Sequence, residues 1–339
     1  MEQRHHQKVL IIKPGYSETL DPDTSGEVSL GDVMRSTVLL HCFPQESFHV
    51  TWLVDERSWP MLRGNGRIDR VLILNQFTPF HLMREFFDIV INLEKDPGIC
   101  ALADNIPAGQ RCGFRFDPRR DCVAGHLQSN TALELASDPL LKRSLRRNWS
   151  EILFEMVGRT WQGENILLGH YPAKPPSFDI GINYRAGRKY PLKVWPMAQW
   201  QGLAERLGDR GLSVSWQPAQ DNLDEFETYI DWINDCRVLV SADSLAVHIA
   251  AGLEKPTVAL FGPTLPSDIP DRPHLVKIWS PQAHDCPPCQ SRTCVKDRQC
   301  MTMISADEVE QHVLTLLEEA PPPPARRSRR SRRDQANMA

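Results

Sequence analysis

The sequence predicts an α/β protein made of two parallel-sheet domains of similar size that face each other across a cleft. Three observations carry that expectation. Short apolar runs alternate with helical patterns from end to end, and a Pro-rich aperiodic stretch interrupts them near the middle. The 339 residues also exceed the ~100–200 of a usual compact domain.

The first half supplies four runs suited to buried parallel strands: residues 8–12 (KVLII), 49–55 (HVTWLVD), 69–74 (DRVLIL) and 87–93 (FDIVINL). Between them, residues 33–41 put Val33, Thr37 and Leu40 on one helical face, and 78–86 (TPFHLMREF) is short but helical in pattern. The Pro-rich linker, 171–179 (YPAKPPSFD), separates a domain over 1–170 from one over 180–304. Strand 178–183 (FDIGIN) opens the second half. A helix follows from Pro196, with Met197, Trp200, Leu203, Ala204 and Leu207 at helical spacing and Gly208 and Gly211 at its end. Strand 212–216, helix 224–235, strand 237–242, helix 244–253 and strand 257–262 then alternate, as right-handed crossovers require. Ser305, with Glu308 three residues on, forms a capping box for a closing helix over 305–319 that carries Val309, Val313, Leu316 and Leu317. No internal repeat is found.

Composition narrows the class. With 41% hydrophobic residues, 9 Trp and 12 Phe, global disorder is excluded. The net charge of −4 hides an asymmetry: residues 321–339 hold six Arg and one Asp, a net of +5, on a body of −9. This Pro/Arg-rich tail over 320–339 reads as a disordered appendage, either solvated or in contact with an anionic membrane surface. An acidic body, and a tail without interleaved aromatics, argue against nucleic acid. No apolar run approaches the ~20 residues of a membrane span, and the N-terminus has only VLII where a signal peptide needs ~7–15 apolar residues. A cytoplasmic protein is expected. Neither a P-loop nor a G-x-G-x-x-G fingerprint is present, so kinase and dehydrogenase readings lack support.

Open parallel sheets bind ligands at the carboxyl ends of their strands, where helix N-termini offer free N–H groups to anions. Three such junctions stand out. In SLGDVMRSTVLL (29–40), Gly31 permits a tight turn and Asp32 starts a helix, as a functional carboxylate or as a charge complementing the helix dipole. In SADSLAVHIAAGLEKPTVALFGPT (241–264), Asp243, Ser244 and the turn from Gly262 to Thr264 share one cleft edge, as a ligand site or as an ordinary capped helix. In NYRAGRKYPLKVWP (183–196), Arg188 and Lys189 are adjacent cations that either hold phosphates or are solvated.

Together these segments resemble glycosyltransferase family 9, the lipopolysaccharide heptosyltransferase family, over about residues 8–320. SLGDV matches its first-loop Gly-Asp signature, 188–207 its Lys-aromatic-Pro segment, and 242–264 its most recognisable C-terminal stretch. The resemblance implies a GT-B type fold of two Rossmann-like domains, and transfer of a sugar from a nucleotide diphosphate, with ADP-heptose as donor, to a saccharide or lipid-linked acceptor. It makes Asp32 the general base and puts Lys189, with Arg188, on the donor diphosphate. Asp243 would hold donor sugar hydroxyls or order the phosphate loop, with Ser244, Gly262 and Thr264 beside the phosphates. A helix N-terminus plus a lysine can stabilise the leaving group, so no catalytic divalent metal is expected, and one carboxylate suffices for an inverting displacement. An epimerase of the same fold and a non-catalytic nucleotide-sugar-binding protein are the alternatives.

Two departures bear on this. Residues 16–28 form an insert absent from a typical member, expected to overhang the acceptor side, and Leu245 stands where the family usually has Gly. The DPD at 21–23 sits in a polar loop and is not expected to bind metal. Four of nine cysteines, Cys286, Cys289, Cys294 and Cys300, fall at C-x2-C-x4-C-x5-C spacing, suited to a structural Zn, or Fe, that staples the segment before the closing helix; free thiols or disulfides are the other readings. Cys42, Cys100, Cys112, Cys122 and Cys236 read as structural or buried thiols.

Overall fold

The structure is a computed structural model that describes residues 6–16, 27–187, 189–218, 226–281, 286, 289 and 293–319. Arg188, most of the insert including 21–23, and the tail lie outside the described residues.

The first sheet has six strands: β1 (Gln7–Ile12), β2 (Phe48–Val54), β3 (Arg70–Ile73), β4 (Phe87–Asn92), β5 (Ala108–Asp117) and β6 (Cys122–Gly125). Their order is β3-β2-β1-β4-β5-β6, parallel except for the β5–β6 hairpin. Its helices are α1 (Leu30–Ser36), α2 (Thr78–Leu82), α3 (Pro97–Asn105), α4 (Asn130–Ser137), α5 (Pro139–Leu145) and α6 (Trp149–Met156). β1 shows why the apolar runs are continuous: Val9 and Ile11 enter one core and Leu10 and Ile12 another, so both faces are covered.

The second sheet contains β7 (Phe178–Asn183), β8 (Val214–Trp216), β9 (Cys236–Ala242), β10 (Thr257–Phe261) and β11 (Leu275–Trp279), in the all-parallel order β11-β10-β9-β7-β8. α7 (Met197–Asp209), α8 (Phe226–Asn234), α9 (Leu245–Gly252) and α10 (Ala306–Glu319) accompany it. Between α6 and β7 the chain runs without helix or strand. α10 begins as the capping box requires, with the Glu308 N–H donating to Ser305 Oγ at 3.2 Å, and sinks Val309, Val313 and Leu316 against α7 and the sheet.

The two domains share one core. Phe226, Tyr229 and Ile230 of α8 and Ala246, Ile249 and Ala250 of α9 belong to the same buried cluster as Val33, Met34 and Trp52 of the first domain. α1 therefore packs directly on α9. Gly31 lies inside α1, not in a turn, and its small size serves this contact: a Cβ there would stand 3.1 Å from His248 Cδ2.

Candidate active site

In each sheet the strand order reverses once, between β1 and β4 and between β7 and β9, and a crevice opens at the carboxyl ends of those strands. Two clusters of buried charge lie at these points.

At the first, Lys13 follows β1, Asp32 lies in the first turn of α1, and Glu94 and Lys95 follow β4. Asp32 is only 3% exposed. Lys13 Nζ pairs with Asp32 Oδ2 and, at 3.2 Å, with Glu94 Oε1, while Arg35 holds Asp32 Oδ1 from Nε at 2.7 Å and from Nη2 at 2.5 Å. Burial by itself raises a carboxyl pKa, but Arg35, Lys13 and Lys95 outweigh it and hold Asp32 far below the usual carboxylate range. Lys13 is desolvated too, yet Asp32 and Glu94 keep its pKa above the ordinary lysine value. Lys95 is pushed down to about 8, first by burial and then by repulsion from Lys13; its ammonium stands 4.9 Å from the Phe114 ring centre. The insert leaves and rejoins here through a narrow base. Gly15, at φ +99°, donates to Glu94 Oε1 at 2.5 Å and accepts from the Ser29 N–H at 2.8 Å. A side chain at Gly15 would meet Val33 at 2.9 Å, so the pinch requires glycine.

At the second point, Asp243 follows β9 and Ser244 caps α9, accepting from the Ala246 N–H at 3.3 Å. Asp243 Oδ2 accepts from Lys193 Nζ and from Thr264 Oγ1, both at 2.8 Å. Burial raises this carboxyl as well, but Lys193 reverses the effect, helped by His248 and Thr264, and lowers it to about 2. Asn183 at the end of β7 donates to Ser241 Oγ at 2.8 Å and to Ser244 Oγ at 3.0 Å, tying the cap to the switch point.

The second point opens on a cavity of about 60 Å³ that Arg35 of the first also lines. Lys193, Asp243, His248 and Thr264 line it from the second domain, Arg35 and Trp149 from the first. The Arg35 guanidinium stacks over the Trp149 ring, 4.9 Å from its centre. An ion pair from Lys142 of α5 to Asp268, at 2.6 Å, crosses the cleft beside it. An open hollow of about 490 Å³, past Arg146, Ser267 and Lys277, adjoins the cavity at Ile269.

Two expected site residues lie elsewhere. Lys189 Nζ donates to the backbone carbonyls of Tyr16 at 3.0 Å and Glu27 at 3.3 Å, at the two feet of the insert, which makes it a clasp between domains. Gly262 faces the cysteines: a Cβ there would stand 2.6 Å from Met301 Sδ and 2.7 Å from Cys300 Sγ. Leu245 packs against the core shared by the domains. Sequence reasoning missed Lys193, His248, Arg35 and Trp149. Lys193 had a signal in Lys-Val-Trp-Pro, which runs straight into α7, and His248 in being the one imidazole on an apolar helix, a turn beyond Ser244.

The nine cysteines are free thiols, with Cys100, Cys112 and Cys236 buried and Cys122 exposed. Cys286, Cys289, Cys294 and Cys300 line a single cavity of about 40 Å³ together with Leu192 and Pro263. Burial, then the other three cysteines, push the Cys300 thiol up to about 11. Four thiols on one cavity are a donor set that suits a thiophilic ion, although among the described residues no group of three or more His, Cys, Asp or Glu is placed to hold one.

Comparison with known proteins gives this geometry its context. The family model of glycosyltransferase family 9 (heptosyltransferase) matches residues 223–299. That stretch includes α9 and Asp243. Over that stretch the sequence is similar to glycosyltransferase family 9, and the fold is GT-B. Lipooligosaccharide heptosyltransferase 2 of Haemophilus ducreyi is 33% identical over 116 residues, 26% of this chain and 33% of that protein. The chain thus spans about a third of the length of that curated relative. Among solved structures, the family 9 glycosyl transferase of Veillonella parvula aligns over 93% of this chain and 98% of its own, with TM-score 0.62 and 17% identity. ADP-heptose lps heptosyltransferase II of E. coli aligns over 92% and 99%, with TM-score 0.61 and 17% identity. The iron-containing dodecameric glycosyltransferase TibC of enterotoxigenic E. coli shares the fold more distantly, covering 94% of this chain and 78% of its own at TM-score 0.54 and 12% identity. At these identities the structures speak for the family 9 fold.

Proposed function

We propose that the protein transfers heptose from ADP-heptose to a hydroxyl of a saccharide or lipid-linked acceptor, with inversion and without a catalytic divalent metal. The observation that carries this reading is the cavity at which Arg35, the partner of Asp32 at one switch point, meets the Lys193–Asp243–Thr264 cluster of the other. Lys193 and the N-terminus of α9 supply positive potential for the departing diphosphate, with Ser244 and Thr264 as hydroxyl partners. Lys193 thereby takes the role first expected of Lys189. Asp32 orients the acceptor hydroxyl and takes its proton. A carboxylate held this firmly is a weak base, and that suffices, because a hydroxyl attacking an oxocarbenium-like carbon becomes acidic as the new C–O bond forms. The cavity adjoins the hollow of about 490 Å³ at Ile269, and the two together offer the several hundred Å³ that a nucleotide sugar needs.

In the same reading, Cys286, Cys289, Cys294 and Cys300 hold one structural zinc or iron ion. The shared thiol cavity and the iron-containing relative of the same fold support it. The ion would cross-link the segment ahead of α10, and protein purified without added metal would carry one equivalent. A cytoplasmic enzyme, whose Arg-rich tail touches the inner membrane, completes the picture; no described helix is long and apolar enough to cross a membrane.

Thermal shift against a panel of nucleotide sugars tests the donor. ADP-heptose at 100 times its dissociation constant adds ~2.7 kcal/mol of stability. Stabilisation by a different nucleotide sugar, with none by ADP-heptose, overturns the assignment.

A further inference from the structure

α1 is only seven residues long, yet it carries the carboxylate of Asp32 and, one turn on, an arginine that holds it. Arg35 reaches Asp32 Oδ1 from two nitrogens, and its own side chain is 19% exposed. An ion pair three residues apart on a helix is weak by itself, because the arginine has many rotamers and water competes for its donors. A firm hold on Asp32 therefore needs a further contact that fixes the guanidinium. The Trp149 ring supplies one, with the Arg35 guanidinium stacked over it 4.9 Å from its centre.

Trp149 is well placed to act as a fixed support. It is the first residue of α6, whose start is set by Asn148: Oδ1 accepts from the Glu151 N–H at 3.0 Å, and Nδ2 donates to Glu151 Oε1 at 2.9 Å. Ile152, Leu153 and Met156 then sink α6 into the core that also takes Val33 and Met34 of α1, so ring and carboxylate are anchored on one body. The ring serves a second cation as well. Lys95 Nζ stands 5.6 Å from its centre, and Lys95 is another of the charges that act on Asp32. Trp149 Nε1 is buried and has no hydrogen-bond partner among the described residues, so the indole contributes its ring, and a ring without that N–H can replace it. Of the first cluster and its supports, Arg35 and Trp149 are the two that line the cavity with Lys193, Asp243 and Thr264.

We propose that Trp149 is a positioning residue for sugar transfer: its ring holds Arg35 in the pose that fixes the Asp32 carboxylate as proton acceptor. The proposal rests on the reading of Asp32 as the base. Steady-state release of ADP from ADP-heptose, with deacylated heptose-free lipopolysaccharide as acceptor, tests it beside calorimetric titration of ADP. Trp149→Leu keeps apolar bulk and removes the aromatic face; turnover falls about tenfold or more, while ADP affinity stays within about threefold of wild type. Trp149→Phe restores most of the turnover. In an Arg35→Met background, Trp149→Leu costs nothing further, as expected of a residue that acts through Arg35. Should Trp149→Leu fail to fold, Trp149→Met, unbranched and more adaptable, carries the same comparison. Equal losses in the Phe and Leu variants overturn the proposal, as do losses that multiply in the Arg35→Met background. A fall in ADP affinity as large as the fall in turnover makes Trp149 a donor contact and overturns it too. Asp32→Asn separates the two levels: normal turnover there defeats the base reading and this proposal with it, whereas loss of turnover there beside a fully active Trp149→Leu defeats this proposal alone.

Discussion

At the first switch point a carboxylate sits among Lys13, Arg35 and Lys95, with Glu94 as a second carboxylate. At the second, Asp243 is held by Lys193 and the Thr264 hydroxyl with His248 close by, while the hydroxyls of Ser241 and Ser244 bond to each other and to Asn183. The two crevices arise from the same topological device, yet the first is a dense ionic cluster and the second a hydroxyl-rich cradle with one strong cation. The difference agrees with the roles proposed above. An ionic cluster fixes one carboxylate in charge and direction, which a proton acceptor needs. A cradle at a helix start leaves room and donors for a dianionic leaving group.

The contrast can be broken at either end. The largest effect is expected from Asp32→Asn, which keeps the shape of the first cluster and removes its proton acceptor. Turnover should fall ~10²–10⁴-fold while donor affinity stays within a few-fold. Near-normal turnover in a steady-state assay would place the base elsewhere. Lys13→Met comes next, since it leaves Asp32 and Glu94 buried without their shared cation. Urea denaturation should show a loss of ~3–5 kcal/mol, with ADP affinity little changed. A loss below about 1 kcal/mol would mean that the cluster is solvated. The smallest effect concerns pH. The folded-state pKa of Asp243 is about 2, below its ordinary 3.8, so its contribution to stability is complete above about pH 4 and is lost as pH falls through 2. Asp243→Asn should flatten that part of the acid limb in a pH series of melting curves. A variant with the wild-type slope between pH 4 and pH 2 would assign the limb to other carboxylates.

The central strands were legible because both of their faces are buried, which leaves continuous apolar runs such as Val9–Ile12 and the core of β9. The margins were not. β5 and β6 went unread because Gln110, Arg111 and Arg115 interrupt the run, and Gly113, at φ +90°, breaks the pattern where a Cβ would lie 1.9 Å from Asn92 O. β11 is a five-residue edge strand with Lys277 in its middle. Helices α3 to α6, which deliver Trp149 and Lys142, follow the part of the first domain with the weakest periodicity. Asp32, Asp243, Ser244 and Thr264 were expected from motif and from placement at strand ends, and the structure sets Asp32 at the first switch point and the other three at the second. The cluster around Lys13 was not, because Lys13 meets Asp32 from α1 and Glu94 from a strand end far along the chain, and no local spacing encodes those pairs. The two lysines show the limit most plainly. Lys189 precedes Tyr-Pro and Lys193 precedes Val-Trp-Pro, so spacing admits both. The decision comes from Trp195, buried and bonded to Ile304 O at 3.1 Å, which fixes the start of α7 and turns Lys193 toward Asp243.

The most direct test of the account is calorimetric titration of ADP into the wild type, Lys193→Ala and Lys189→Ala. A charge-assisted contact to the diphosphate predicts that Lys193→Ala weakens ADP binding by ~1.5–3 kcal/mol, roughly 10- to 150-fold, with Lys189→Ala staying within a few-fold of wild type. The reverse result, with Lys189→Ala losing ADP and Lys193→Ala keeping it, would contradict the assignment of the second crevice to the leaving group.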